Sequence, residues 1–207
     1  AHGKAYSQDG WNGSSATKEA LAIFRKGTED PRMEKTYFTG KVKGPDGNFI
    51  KDGDADLEYK PDAIALDVSG TTFEKTAGAR MAKYETDPTA QAAGQLPHND
   101  WVLFRYADVL LMKSEALVRM GQSGDDDLGK VRTRAGASSR VATLDNILDE
   151  RLLELAWEGW RRQDLIRFGK YTQPISDRPT SAPTKTVFPI PADVLSLNTN
   201  LTQNPGY

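Results

Sequence analysis

The chain has no cysteine among its 207 residues and only two histidines, His2 and His98. The first absence excludes disulfides, thiolate metal sites and cysteine nucleophiles, and it fits any compartment. The second leaves little material for a zinc centre or a Ser-His-Asp triad. His2 is terminal, and His98 sits in "LPHND", where the ring is expected to face solvent. Charge of one sign is also missing. Lys and Arg total 27 against 29 Asp and Glu, a net charge of −2. A pI near 5.8 gives no electrostatic reason to expect nucleic acid. No apolar run approaches the ~18 residues of a membrane span, and the mean hydropathy is −0.60. No basic n-region and apolar h-region open the chain, so a signal peptide is expected to be absent or removed.

What is present changes character along the chain. Residues 1–33 read as an irregular segment plus a short helix. The helix is "TKEALAIFRKG", with Thr17 as N-cap, Glu19 in the first turn, Leu21 and Phe24 on one face and Gly27 as the stop. Residues 34–98 read as a loop-rich insertion with a few short strands. In it "TYFTGKV" and "NFI" flank "KGPDG", a loose hairpin, and "TTFEK" is a further strand candidate. Residues 99–207 read as a helical scaffold with a tail. "WVLFR" leads in extended, a helix runs to Gly121, and a shorter one, "DDLGKVRTRAG", closes at Gly136. A third is expected to run unbroken from a Thr143 cap to Gly169, with Leu144, Leu148, Leu152 and Leu155 as its buried stripe. The tail holds four prolines and one helical turn at "PADVL", and Val187, Phe188, Ile190 and Leu195 there need cover, expected from the helices. Helix, short loop, helix, with glycines at the turns, is the hairpin unit of TPR-type repeats. The fold class is therefore mainly α: a TPR-like helical hairpin scaffold with a loop-rich insertion.

The stretch "DERLLELAWEGWRRQDLIRFGKY" is dense with charge. On one continuous helix, Glu150, Glu154 and Glu158 fall at i, i+4, i+8 and share a stripe. Paired carboxylates carry out glycoside hydrolysis only when they face each other across a cleft. Three on one stripe straddle nothing, and Arg151, Arg161 and Arg162 are interleaved with them. An ion network that joins helices is the expected role, with Glu158 and Arg162 as an i, i+4 pair. Trp157 and Trp160 are expected to pack in the core. The cations of "GKVRTRAG" are expected to pair with the acids of the following helix.

Three stretches taken together, "FRYADVLLMKSEAL", "LDERLLELAWEGWRRQDLIRFGK" and "FPIPADVLSLNTNLTQNPGY", resemble the C-terminal half of the SusD/RagB family in order and spacing. "KVRTRAG" is similar to the family's preceding short helix, although "SGDDDLG" stands where the family usually carries a longer Ala/Leu-rich run. "WNGSSATKEALAIFRKGTEDPR" resembles the segment that opens this half. The resemblance implies a surface-exposed, lipid-anchored nutrient-binding protein of the Gram-negative outer membrane, acting in polysaccharide utilization and transport. It implies non-catalytic binding of an oligosaccharide or other nutrient and delivery to a TonB-dependent SusC-like transporter. No cofactor is implied, and membrane contact comes only through an N-terminal lipid outside this chain. The resemblance also implies that the chain is a portion of a longer domain. A TPR-type protein-binding adaptor is the alternative, and a glycoside hydrolase a further one.

Sugar sites need exposed aromatic faces and planar polar groups for the hydroxyls. Trp11 with Asn12, and Tyr59 with Glu58, lie in irregular segments that could supply them. Asp52, Asp54 and Asp56 alternate in "DGDADLEYKPD" and form a weak cation-site candidate. Leu57 and Ala63 stand where a calcium loop of the EF-hand type needs its Gly and Glu.

Overall fold

The computed structural model describes residues 13–207 apart from 45, 66, 86, 88, 91, 95 and 177. The chain divides into two compact units, Ala1–Arg161 and Arg162–Tyr207. Among the described residues the fold is mainly helical, with six strands of two residues each.

The first unit opens with α1 (Lys18–Phe24). The Thr17 hydroxyl accepts the Ala20 N–H at 3.2 Å, the expected cap. Leu21 and Phe24 are buried against Leu152 and Leu153 of a later helix, with Tyr37 edge-on to Phe24 at 5.1 Å. A single turn, α2 (Met33–Thr36), leads into the strands. β1 (Tyr37–Phe38) pairs antiparallel with β6 (Arg80–Met81), and β2 (Gly40–Lys41) pairs with β5 (Glu58–Tyr59). β3 (Lys51–Asp52) and β4 (Ala55–Asp56) form a small hairpin. Val42, Ile50, Leu57 and Tyr59 close a local core beneath these ladders. The hairpin expected around 44–48 is present: Gly44 donates to the Asn48 carbonyl at 2.8 Å and Ile50 to the Val42 carbonyl at 2.9 Å. "TTFEK" is not a strand. Its N–H groups close successive turns, and the Thr71 hydroxyl donates to the Val68 carbonyl at 2.6 Å. A threonine that hydrogen-bonds its own local backbone removes the chain from a ladder.

Three longer helices follow. α3 (Tyr106–Arg119) and α4 (Asp125–Arg134) form an antiparallel hairpin, and α5 (Leu144–Leu155) packs across α3. Gly121 and Gly136 end α3 and α4 with the same hydrogen-bond pattern. Each glycine N–H returns to the residue three before it, and the next N–H returns to the residue five before it. That motif satisfies carbonyls the helix leaves open and needs a left-handed residue, supplied here at φ 75° and 70°. Gly124 has a different task. A Cβ there would lie 2.5 Å from the Ser114 carbonyl oxygen, so only glycine lets the two helices meet this closely. The buried face of α3 includes Ala107, Leu110, Leu111 and Ser114, while Tyr106 faces outward. Full burial of a leucine such as Leu111 stabilises by about 1.5–3 kcal/mol.

The expected single helix from Thr143 to Gly169 is broken in two. Thr143 caps α5 as anticipated, accepting the Asn146 N–H at 3.2 Å. The helix then stops at Leu155, and α6 (Arg161–Arg167) starts anew. Trp157 takes φ 66°, alone among the described non-glycine residues in the left-handed region. The cause is tertiary. In a continuous helix the Glu154 carbonyl would accept from the N–H of residue 158. Here Lys83 Nζ and Arg105 Nη2 both donate to it at 2.5 Å, and the Glu158 N–H turns to Leu155. Two cations at a helix C-terminus also meet the negative end of its dipole. The Trp157 indole N–H reaches the Thr36 carbonyl at 3.2 Å, which anchors the kink to α2.

The second unit explains the closing "NLTQNPGY". Gln203 accepts from the Ile190 N–H at 2.8 Å and donates back to the Ile190 carbonyl at 2.9 Å. Asn204 donates to the Phe188 carbonyl at 2.7 Å, and the Tyr207 hydroxyl to the Val187 carbonyl at 3.0 Å. The final residues thus stitch the extended "VFPIP" segment by side chains, because Pro189 and Pro191 have no N–H to give a ladder. Arg162 lies over Phe188 at 4.1 Å and over Tyr171 at 4.9 Å. Val187 and Phe188 are exposed. α7 (Ala192–Leu197) is the helical turn anticipated at "PADVL".

Candidate functional site

The three glutamates are buried, with 0 %, 3 % and 7 % exposure for Glu150, Glu154 and Glu158. They do not share one helix. Glu150 and Glu154 lie on α5, while Glu158 sits in the kink beyond it. Each faces cations rather than a cleft. Glu150 binds Arg132 and, at 2.8 Å, Arg32. Glu154 binds Arg105 at 2.5 Å, Arg134 at 2.6 Å and Arg32 at 2.8 Å. Glu158 binds Lys83 and, at 2.8 Å, Arg105, not the Arg162 that helical spacing suggested. Arg32 is held in turn by Asp30 at 2.8 Å, and Arg151 of α5 binds Asp108 of α3 at 2.7 Å with both side chains buried. The expectation that "GKVRTRAG" pairs with the following helix is met by Arg132 and Arg134, while Lys130 turns to Asp126 of its own helix at 2.6 Å.

This cluster is built for structure. Burial pushes the Glu154 carboxyl up, but the guanidinium groups of Arg105, Arg32 and Arg134 outweigh it and hold it below the usual carboxylate range. A general acid needs the opposite shift. Burial likewise drives Lys83 below the usual lysine value against the pull of Glu158. Asp30 remains below the carboxylate range, because its contacts with Arg32 exceed the desolvation cost.

The sequence-derived site residues fall only in part among the described residues. Trp11 and Asn12 lie outside the described residues, as does His2. Tyr59 is only 1 % exposed, with the Arg80 guanidinium over its ring at 5.3 Å, so it offers no face to a sugar. The alternation of a strand sends Tyr59 into the local core and leaves its neighbour Glu58 half-buried, paired with Lys60 at 2.8 Å. Asp52, Asp54 and Asp56 do not converge on a cation. Asp56 is taken by Lys51 at 2.5 Å and Lys41 at 3.0 Å, and no group of three possible ligands is arranged for a metal among the described residues. His98 is exposed, as expected.

The residues that sequence reasoning passed over lie just before α3. Trp101 stacks on Tyr84 with ring centroids 5.2 Å apart and planes 15° from parallel. Phe104 meets Trp160 at 5.7 Å and 52°. Trp101 is 60 % exposed and Phe104 73 % exposed. The available signal was "NDWVLFRY", in which Trp101 and Phe104 sit on an extended lead-in too irregular to bury them. Between α3 and α4 lies a shallow cleft of about 380 Å³, lined by Tyr106, Leu110, Lys130 and Arg134 among others.

An antiparallel helical hairpin joined to a further helix through a buried ion network, with a strand-poor irregular insertion, makes a TPR-like helical scaffold. The SusD family model matches residues 3–186, and the chain belongs to that family. It is 33 % identical over 161 residues to the starch-binding protein SusD of Bacteroides thetaiotaomicron, an alignment covering 72 % of this chain and 28 % of that one. Surface glycan-binding protein A from Bacteroides uniformis shares the fold, with a TM-score of 0.66 at 24 % identity over 95 % of this chain and 42 % of that one. A laminarin-binding SusD-like protein matches with a TM-score of 0.61 at 26 % identity, over 93 % of this chain and 38 % of that one. The chain therefore spans well under half the length of these relatives.

Proposed function

We propose that this chain is the scaffold-bearing portion of a surface protein that captures an oligosaccharide without changing it chemically. The oligosaccharide then passes to a SusC-like TonB-dependent transporter in the outer membrane, where an N-terminal lipid holds the full protein. The observation that carries this reading is membership of the SusD family over residues 3–186, together with relatives described as starch-binding and laminarin-binding. The glutamate cluster supports the non-catalytic part, since its carboxylates are spent on arginine and lysine. Trp11, Asn12 and Glu58 stay in the proposed contact set, and Tyr59 leaves it because its ring is buried. Affinity electrophoresis through gels containing starch or laminarin, paired with a reducing-sugar assay, tests the reading. Retardation without release of reducing ends is the expected result. Turnover that disappears in Glu154→Gln would replace it with a hydrolase.

A peptide-binding adaptor is the second reading, favoured by the cleft between α3 and α4 with Lys130 and Arg134 at its edge. An adaptor would pass every glycan gel unretarded.

A further inference from the structure

We infer that Trp101, backed by Tyr84 and accompanied by Phe104, is a stacking platform for a neutral oligosaccharide. The inference rests on the glycan-binding reading and adds to it the residues and the charge class of the ligand.

The first argument is rigidity. A ring that binds a sugar must be held flat before the sugar arrives, because ordering it on binding costs affinity. Trp101 has one face closed by Tyr84 and the other open to solvent. Tyr84 follows Lys83, whose ammonium is fixed between the Glu158 carboxylate and the Glu154 carbonyl. Phe104 precedes Arg105, which is fixed by Glu154 and Glu158. Phe104 rests on Trp160, two residues after Glu158, and the Arg151 guanidinium lies 5.9 Å from the Trp160 ring. Both ring pairs are therefore seated on the same buried ion network. A surface loop does not need that support merely to stay folded.

The second argument is shape and reach. The apolar C–H face of a pyranose matches an exposed indole, and amides and carboxylates beside it serve the hydroxyls. Asn99, Asp100 and Glu85 lie next to the platform rings in sequence and are exposed. Three residues of extended chain place Trp101 and Phe104 within about 11 Å of each other, a span suited to a short run of linked rings.

The third argument is charge. Lys83 and Arg105 are committed to glutamates. The loop around the platform carries Glu85, Asp87 and Asp100. Asp87 is held down to about 2 by the backbone N–H of His98 and by Thr89, so it stays anionic under all ordinary conditions. An anionic polysaccharide meets repulsion here and no unspent cation among these groups, whereas a neutral one meets neither difficulty.

The test is affinity electrophoresis and titration calorimetry on the purified protein with starch, laminarin and polygalacturonate. Wild type is expected to bind a neutral glucan and to ignore polygalacturonate. Trp101→Ala is expected to weaken binding about tenfold or more, the order a lost stacking contact gives. Trp101→Leu keeps the apolar bulk over Tyr84 but removes the flat face, so it is expected to lose as much while its circular dichroism and unfolding midpoint stay unchanged. Trp101→Phe is expected to retain most of the affinity. If the wild type binds a neutral glucan and Trp101→Leu binds it equally well, the platform is refuted and the glycan reading stands. If polygalacturonate binds more tightly than both glucans, the charge class is wrong. If no polysaccharide is bound by wild type, platform and glycan reading fail together.

Discussion

Glu150 offers the sharpest test of what joins the helices. Its side chain is fully buried on α5, accepts from Arg132 of α4 and forms an ion pair with Arg32, which precedes α2. Two consecutive helices and a residue far upstream thus meet at one carboxylate. Glu150→Ala leaves Arg132, whose own side chain is 3 % exposed, without its counter-charge in the interior. Breaking a buried pair from one side costs about 3–5 kcal/mol, because the remaining charge is uncompensated. For a chain of this size each kcal/mol moves the midpoint by about 2–4 °C, so a fall of about 6–20 °C in Tm is expected. Urea denaturation followed by circular dichroism gives the free energy, with an unchanged slope showing that the folded state is the same. The double variant Glu150→Met/Arg132→Met removes both charges and is expected to recover much of the loss, as a hydrophobic replacement of a buried pair often does. If Glu150→Ala lies within about 0.5 kcal/mol of wild type, the cluster is not what holds the hairpins together.

Three further expectations follow. Glu154 has a folded pKa below its unfolded value of 4.5, so its stabilisation is present above that value and is lost as pH falls through the folded one. Acid titration of stability should therefore be flatter below about pH 4.5 in Glu154→Gln than in wild type, and an identical slope would contradict the assignment. Gly124→Ala drives a methyl to 2.5 Å from the Ser114 carbonyl and should cost about 1–3 kcal/mol in urea unfolding, whereas a neutral result would mean that the α3–α4 approach is looser than described. Gln203→Ala removes both bonds to Ile190, at about 0.5–1.5 kcal/mol each. It should raise amide exchange across residues 183–207 while leaving α3 and α5 protected, and unchanged exchange in the tail would refute the stitching role.

Local features were legible in the sequence wherever local chemistry sets them. The Thr17 and Thr143 caps and the Gly121 and Gly136 terminators are written within a few residues of the helices they bound. The pairing of Arg132 and Arg134 with α5 followed from charge and proximity. The kink at 156–160 was hidden because its agents, Lys83 and Arg105, lie about 70 and 50 residues upstream. Nothing in "LELAWEGWRRQDL" itself disrupts helical period strongly enough to announce them. The few short strands were anticipated but their pairing was not legible, for the same reason, since β1 finds β6 across about 40 residues with no alternation long enough to read. Tyr59 illustrates the limit for sites: polar surroundings in sequence suggested an exposed ring, yet a single strand register turned it inward. Trp101 shows the reverse, an aromatic left outside because its partner Tyr84 stands across the same loop.

The fastening of Lys83 and Arg105 to a single carbonyl has an evolutionary consequence. The stretch from 84 to 104 starts and finishes at neighbouring moorings on α5, so its two feet stay put whatever lies between. Closing a longer or shorter bridge between fixed feet changes the entropy by only about 0.6 kcal/mol per doubling of length. New recognition surfaces can therefore be spliced in at that point like exchangeable heads on one handle, while the helical frame underneath goes unaltered.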